Sequence, residues 1–117
     1  MKRGEVWLIN LSPTVGAEIQ KARPAVIVND DQVGILPLKV IVPITDWKDR
    51  YEQAAWMVRL EPTPDSGLQK VSAADAFQVR SISEQRFLRR LGMLEADAME
   101  QLRHALVIVL KLSSGSG

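Results

Sequence analysis

The stretch Leu38-Lys39-Val40-Ile41-Val42-Pro43-Ile44-Thr45 carries the decision about the fold. Its β-branched residues predict a strand, and the proline inside it predicts an edge, a bulge or a local end to pairing, because Pro43 has no N–H to give to a ladder. Upstream, Ala25-Val26-Ile27-Val28-Asn29 is a second β-branched run with Pro24 read as its first residue, and Asn29-Asp30-Asp31 closes it. Further upstream, Gly4 to Leu11 alternates. Val6, Leu8 and Asn10 point one way while Trp7, Ile9 and Leu11 point the other, the pattern of a strand covered on both faces. Between these two strands, Thr14 to Ala22 has no sustained apolar period and reads as a connecting loop of about ten residues. Downstream, Ala54 to Leu60, Leu68 to Ala73 and Phe77 to Ile82 read as further short strands, the last two separated by Ala74-Asp75-Ala76. Short strands at this close spacing predict a small barrel or a strongly curved sheet.

Near the end of the chain the period changes. Ser83 can cap a short turn through Glu84-Gln85-Arg86, Phe87 to Leu91 reads as one more short strand, and Gly92 breaks the pattern. From Glu95 to Leu112, Ala98, Leu102, Ala105, Leu106 and Val109 recur at spacings of three and four, which predicts an amphipathic helix lying on the sheet. The expected class is mainly β, α+β by content, with a C-terminal helix. Residues 1–112 are expected to form a single domain, and the Ser/Gly stretch at 113–117 a flexible tail with nothing to bury.

Composition fits one domain. The chain has 117 residues, 46% of them hydrophobic, enough for a core without disulfides or a structural metal. It has no cysteine, which excludes thiol catalysis, Cys-rich zinc sites and a bridged secreted scaffold. The apolar stretch Ala105 to Leu110 falls far short of the ~20 residues of a membrane span, and Met1-Lys2-Arg3 leads into no signal-peptide core. A soluble, cytoplasmic protein is expected. With 15 basic and 14 acidic residues, the net charge does not decide for or against nucleic acid; the grouping of the basic residues must.

The sequence contains no Walker P-loop, GxGxxG, GxSxG or HExxH, and its one histidine cannot build a His-based metal site. His104, beside the helix stripe, reads as helix surface. Chemistry-bearing residues gather in three places: Glu18, Gln20, Lys21 and Arg23 before the second strand; Thr45, Asp46 and Lys48 at the end of the third; Gln78, Arg80 and Ser81 on the sixth. If these ends converge they form an anion-binding cleft, in which arginine matches a phosphate with two parallel hydrogen bonds. The competing reading is a surface ion pair between Glu18 and Arg23, with Thr45 merely β-forming.

Arg3-Gly4-Glu5-Val6-Trp7, then Leu11 to Glu18, then Arg23-Pro24-Ala25-Val26-Ile27-Val28, resembles the N-terminal signature of the MazF/PemK toxins. The resemblance continues in Val42-Pro43-Ile44-Thr45, in Gln78-Val79-Arg80-Ser81 and in the closing helix, and so covers residues 2 to 112 in order. It implies an SH3-like barrel that works as a homodimer, a ribosome-independent and metal-independent endoribonuclease without a cofactor. It also implies a cognate antitoxin as partner. Catalysis in that family falls on the arginine of the Arg-Pro step and the threonine ending the next strand, here Arg23 and Thr45, with the loop glutamate, here Glu18. Gln20, Lys21, Lys48, Gln78, Arg80 and Ser81 are the expected substrate-binding residues. Where the family loop commonly has a glutamine and a glycine, this chain has Ile19 and Lys21.

The resemblance further implies cleavage of single-stranded mRNA at short sequences, leaving a 2′,3′-cyclic phosphate and a 5′-hydroxyl. Unpaired bases are read by stacking, for which Trp47, Tyr51 and Trp56 are candidates, while Lys48 and Arg50 could track the backbone. Two rivals stand beside this reading. A gyrase poison on the same barrel relies on a C-terminal Trp-Gly-Ile, and Lys111-Leu112-Ser113 offers nothing similar. A non-catalytic nucleic-acid- or peptide-binding barrel would make Arg23 and Thr45 ordinary groove residues.

Overall fold

The computed structural model describes residues 1–19, 21–34 and 36–112; Gln20 and the Ser/Gly stretch at 113–117 lie outside the described residues. The chain forms β1 (Glu5–Asn10), β2 (Ala22–Ile27), β3 (Leu38–Asp46), β4 (Met57–Leu60), β5 (Ser72–Asp75), β6 (Arg80–Ser83), β7 (Phe87–Met93) and α1 (Ala96–Leu110). Short 3₁₀ turns occupy Asp49–Gln53, Ala76–Gln78 and Glu84–Arg86. All strands pair antiparallel in the order β4-β5-β3-β2-β1-β7, with β6 also on β3.

Strand β3 organises the sheet. One edge carries β2 through Ala25↔Pro43, Val26↔Val42 and Ile27↔Ile41. The other edge carries β6 along Leu38–Ile41 and β5 along Ile44–Asp46, so β3 changes partner across Val42-Pro43. This is the local end to pairing that a proline inside a strand predicts.

Strand alternation divides the core. Val6, Val26, Val42 and Ile44 face Leu102 and Ala105 of α1, with Ala98, Leu106 and Val109 packed beside them. Ile9, Leu11, Ala25, Ile27, Ile41 and Ile82 form a second cluster on the other face, completed by Trp7, Ile19 and Phe87. Both faces of β1 are therefore covered, as its alternation predicts. The helix stripe is the expected one, and His104 is exposed on the opposite side.

Several boundaries differ from the sequence reading. Pro24 is the third residue of β2, not its first, and lies beyond the β2–β3 ladder, which begins at Ala25. The expected strand at Ala54 is a turn until Met57. Leu68 is a buried loop residue, and the strand expected at Leu68–Ala73 runs from Ser72 to Asp75 instead. The Asp75 carboxylate accepts the Phe77 N–H at 3.1 Å, which turns the chain into a 3₁₀ helix where a strand was expected from Phe77. Gly92 stays inside β7 because no side chain fits there. A Cβ on Gly92 would lie 2.2 Å from the Asp65 carbonyl oxygen, and one on Gly67 2.1 Å from that of Leu91. The two backbones meet at this seam, where Met93 N–H donates to Asp65 O at 2.8 Å and fastens the loop after β4 to β7.

Candidate active site

Arg23 and Thr45 stand on strands that run together and then part. The β2–β3 ladder ends at Ala25↔Pro43, and two residues beyond it on each strand stand Arg23 and Thr45, which line one cleft. Residues two apart on a strand share a face, so both project with Ala25, Pro43 and Ile41. The row continues across the sheet: Thr45 pairs with Ala73 of β5, and Ala73 pairs with Arg59 of β4. Read across the strands it is Arg23, Thr45, Ala73, Arg59, two guanidinium groups flanking a hydroxyl and a fully buried alanine. Arg59 was not among the residues expected from the sequence. Its signal was only its place in an alternating strand, and no local motif marks it.

The Arg23 Nε is buried and has no hydrogen-bond partner, and no ion pair among the described residues includes Arg23. A buried donor left unpaired costs about 1–3 kcal/mol, and a bound anion relieves that cost. Arg23 and Thr45 both line a cleft of about 290 Å³, together with Pro24, Lys70, Ser72 and Arg89. There Lys70 Nζ lies 3.0 Å from Asp46 Oδ1, so Asp46 serves that ion pair.

Arg80 pairs with Ile41 and so shares the face of Arg23 and Thr45. With Glu18, Ile19, Pro43 and Gln78 it lines a neighbouring hollow. The Glu18 carboxylate accepts the Val15 N–H at 2.7 Å and lies 4.0 Å from Arg80 Nη1. Its cationic neighbour is therefore Arg80, and the surface ion pair with Arg23 that the sequence allowed is not formed. The Gln78 Oε1 accepts the Ile19 N–H at 2.8 Å while its Nε2 donates to Asp75 Oδ2 at 2.9 Å. Gln78 thus ties the loop before β2 to the buried Asp75, and both ends of its amide are occupied.

The remaining expected residues do not join this face. Ser81 pairs with Val40 and points the opposite way from Arg80; Lys21 and Lys48 are exposed outside the hollow. Gln20 lies outside the described residues. Trp56 is part-exposed and edge-on to Phe77 with ring centres 5.9 Å apart, while Trp47 and Tyr51 meet edge-on at 5.8 Å. Among the described residues, no group of three or more His, Asp or Glu side chains could hold a metal ion.

A family model described as PemK-like, MazF-like toxin of type II toxin-antitoxin system matches residues 2–110. The chain belongs to this toxin family. Endoribonuclease MazF9 of Mycobacterium tuberculosis is 35% identical to this toxin over 120 residues, covering 97% of this chain and 99% of that protein. The probable endoribonuclease MazF of Mycolicibacterium smegmatis is 27% identical over 113 residues, with 97% and 99% covered. Among solved structures, a mycobacterial endoribonuclease in complex with its cognate antitoxin superposes with a TM-score of 0.76 at 19% identity, covering 97% of this chain and 98% of that one. MazF from Deinococcus radiodurans also gives 0.76, at 23% identity over 95% and 96% of the two chains. At these identities the structures share the fold, a mainly β, barrel-like sheet with a C-terminal helix. In the loop before β2, Lys21 has a φ of 68°. The backbone there keeps the left-handed conformation that favours glycine, and a lysine adopts it at a cost.

Proposed function

We propose that this toxin is an endoribonuclease that cuts single-stranded mRNA in the cytoplasm, using Arg23 and Thr45, and that a cognate antitoxin neutralises it. The observation that carries the proposal is the cleft lined by both Arg23 and Thr45, in which the Arg23 Nε is buried without a hydrogen-bond partner among the described residues. Relatives named endoribonuclease across almost the whole chain supply the reaction class.

In the proposed reaction the ribose 2′-oxygen attacks the adjacent phosphorus and loses its proton. The O2′–P bond forms, the P–O5′ bond breaks, and the departing 5′-oxygen takes up a proton. The products are a 2′,3′-cyclic phosphate and a 5′-hydroxyl. The nucleophile belongs to the substrate, so the protein must supply orientation and stabilise charge on the phosphoryl oxygens. Arg23 clamps two of those oxygens and Thr45 donates a hydrogen bond to one. Glu18 works through Arg80 and the loop over the site, holding a second guanidinium toward the phosphate backbone. DNA fits the same row but has no 2′-hydroxyl and is not cut. The active unit is a homodimer, and the antitoxin lays an acidic segment that folds on binding across the same face.

The test is incubation with a long unstructured RNA in EDTA, with end-group analysis of the fragments. Cyclic-phosphate ends are expected, with Arg23→Ala lowering the rate by at least about 10²-fold and Thr45→Val by about 10–10²-fold. A folded Arg23→Ala protein that cleaves normally refutes the assignment; binding without cleavage by the wild type favours the non-catalytic barrel.

A further inference from the structure

One residue beyond β3 the ladder still holds: Trp47 N–H donates to Val71 O at 3.2 Å. The backbone stays extended, so the Trp47 side chain lies on the same face as Thr45, two residues and about 6.8 Å further along. From β4, Arg59 reaches the same place, its guanidinium carbon 5.3 Å from the centre of the indole ring. Tyr51 meets the indole edge-on, and Arg50 stands 5.5 Å from the centre of the Tyr51 ring. Two aromatic rings interleaved with two cations sit directly beside the proposed catalytic hydroxyl. The pattern is that of a platform for unpaired bases, in which rings and guanidinium planes stack on nucleobases while the charge follows the backbone.

A second observation points the same way. The indole Nε1 of Trp47 is buried without a hydrogen-bond partner, although a buried indole N–H ordinarily has one. Nucleobase edges carry carbonyl and ring-nitrogen acceptors that would satisfy it. The cover over the indole is movable, because among the described residues the ion-pair partner of Arg59 is Glu61, at 2.8 Å, and both side chains are about half-exposed or more. Ala73 between Thr45 and Arg59 is small, so nothing in the row obstructs a strand passing from one to the other.

Resting on the nuclease reading above, we infer that Trp47 and Arg59, supported by Tyr51, bind the unpaired base next to the scissile phosphate and so take part in choosing the cleavage sequence. The base stacks on the Arg59–Trp47 pair, and an acceptor on the neighbouring nucleotide meets the indole N–H.

The experiment uses a single-stranded RNA containing one cut site, with a 2′-deoxy sugar at that site to prevent reaction. Its affinity is measured for wild type, Trp47→Ala, Trp47→Phe and Arg59→Ala, and again with an abasic residue placed at each position in turn. Trp47→Ala is expected to weaken binding about 5- to 150-fold. One abasic position flanking the cut site is expected to weaken wild type by a similar factor and to leave Trp47→Ala unchanged. Trp47→Phe keeps the stack without the N–H, and should recover part of the affinity while altering the distribution of cut sites on a long RNA. If every abasic position penalises wild type and Trp47→Ala equally, the inference is overturned, even where the variant binds weakly through loss of packing. If the all-ribose RNA is neither bound nor cut by wild type, the nuclease reading itself fails and takes this inference with it.

Discussion

Replacing Gly92 with alanine should open the seam that fastens the loop after β4 to β7. The added Cβ would meet the Asp65 carbonyl oxygen at 2.2 Å and the Ser66 carbonyl carbon at 2.5 Å, both backbone atoms with no rotamer to escape into. To reach an ordinary contact the backbones must separate by about 1 Å, enough to break the Met93 N–H to Asp65 O bond of 2.8 Å. Loss of this hydrogen bond contributes about 1 kcal/mol and the overpacking about 1–3 kcal/mol more. A total near 3 kcal/mol corresponds to a fall in Tm of about 12 °C, at about 4 °C per kcal/mol for a chain of this size. Gly34→Ala is the control: its φ of 82° strains any L residue, yet nothing lies within 4 Å of the added methyl. That change should cost only about 1 kcal/mol, or about 4 °C. Thermal unfolding of the three proteins at one concentration decides the matter, a fixed concentration being needed because self-association would shift Tm. If Gly92→Ala melts within a few degrees of Gly34→Ala, the backbones are not in contact at this seam and the closure described here is wrong.

Other outcomes follow from single residues. Burial pushes the Glu5 carboxyl up, but the Trp7 indole N–H, a backbone hydrogen bond from Lys2, and the charges of the N-terminus and Arg90 outweigh it and hold the group below its ordinary value of 4.5. A carboxylate depressed in this way stabilises the fold above that value, and its contribution is lost as the pH falls through the folded-state pKa. Glu5→Gln should therefore be less stable than wild type at neutral pH, with the gap in Tm closing below about pH 4.5; a gap that persists unchanged to pH 3 would contradict the reading. Lys21→Gly relieves a left-handed lysine while loosening the unfolded chain, for a net gain of about 0.5 kcal/mol in chemical denaturation. A loss of more than that would mean the Lys21 side chain has a structural partner. Gln78→Ala removes the acceptor of the Ile19 N–H, so hydrogen exchange in residues 14–19 should accelerate while exchange in β1 stays unchanged. Acceleration in both would show that the loop and β1 open as one unit.

Much of the fold is legible in short-range pattern. The alternation of β1, the β-branched run of β3 and the three-and-four stripe of α1 are each set by which neighbours along the chain share a face, and that geometry is local. The strand limits around β5 were harder to read. Leu68 and Val71 have strand-like composition, but Leu68 is buried from a loop, and Asp75 bends the chain through a hydrogen bond to its own neighbour, a choice between two local structures that only the packing of Ala73 and Ala74 resolves. Gly92 looked like a breaker because a glycine within a strand and a glycine ending one have the same letter; the reason for it lies on a segment some 25 residues away.

The candidate site divides in the same way. The sequence pointed to Arg23, Thr45 and Glu18 through its resemblance to the MazF/PemK toxins, whose Arg-Pro step, strand-ending threonine and loop glutamate they match; local chemistry alone left them open to a surface ion pair and a β-forming threonine. The tertiary structure alone decided who stands beside whom. It brings Arg23 and Thr45 to one cleft, turns Glu18 to Arg80, points Ser81 away, and sets Arg59 and Trp47 on the face of Thr45. The physical reason is that a strand specifies its own two faces but not its partner or register, which depend on long-range pairing and on what each face can bury.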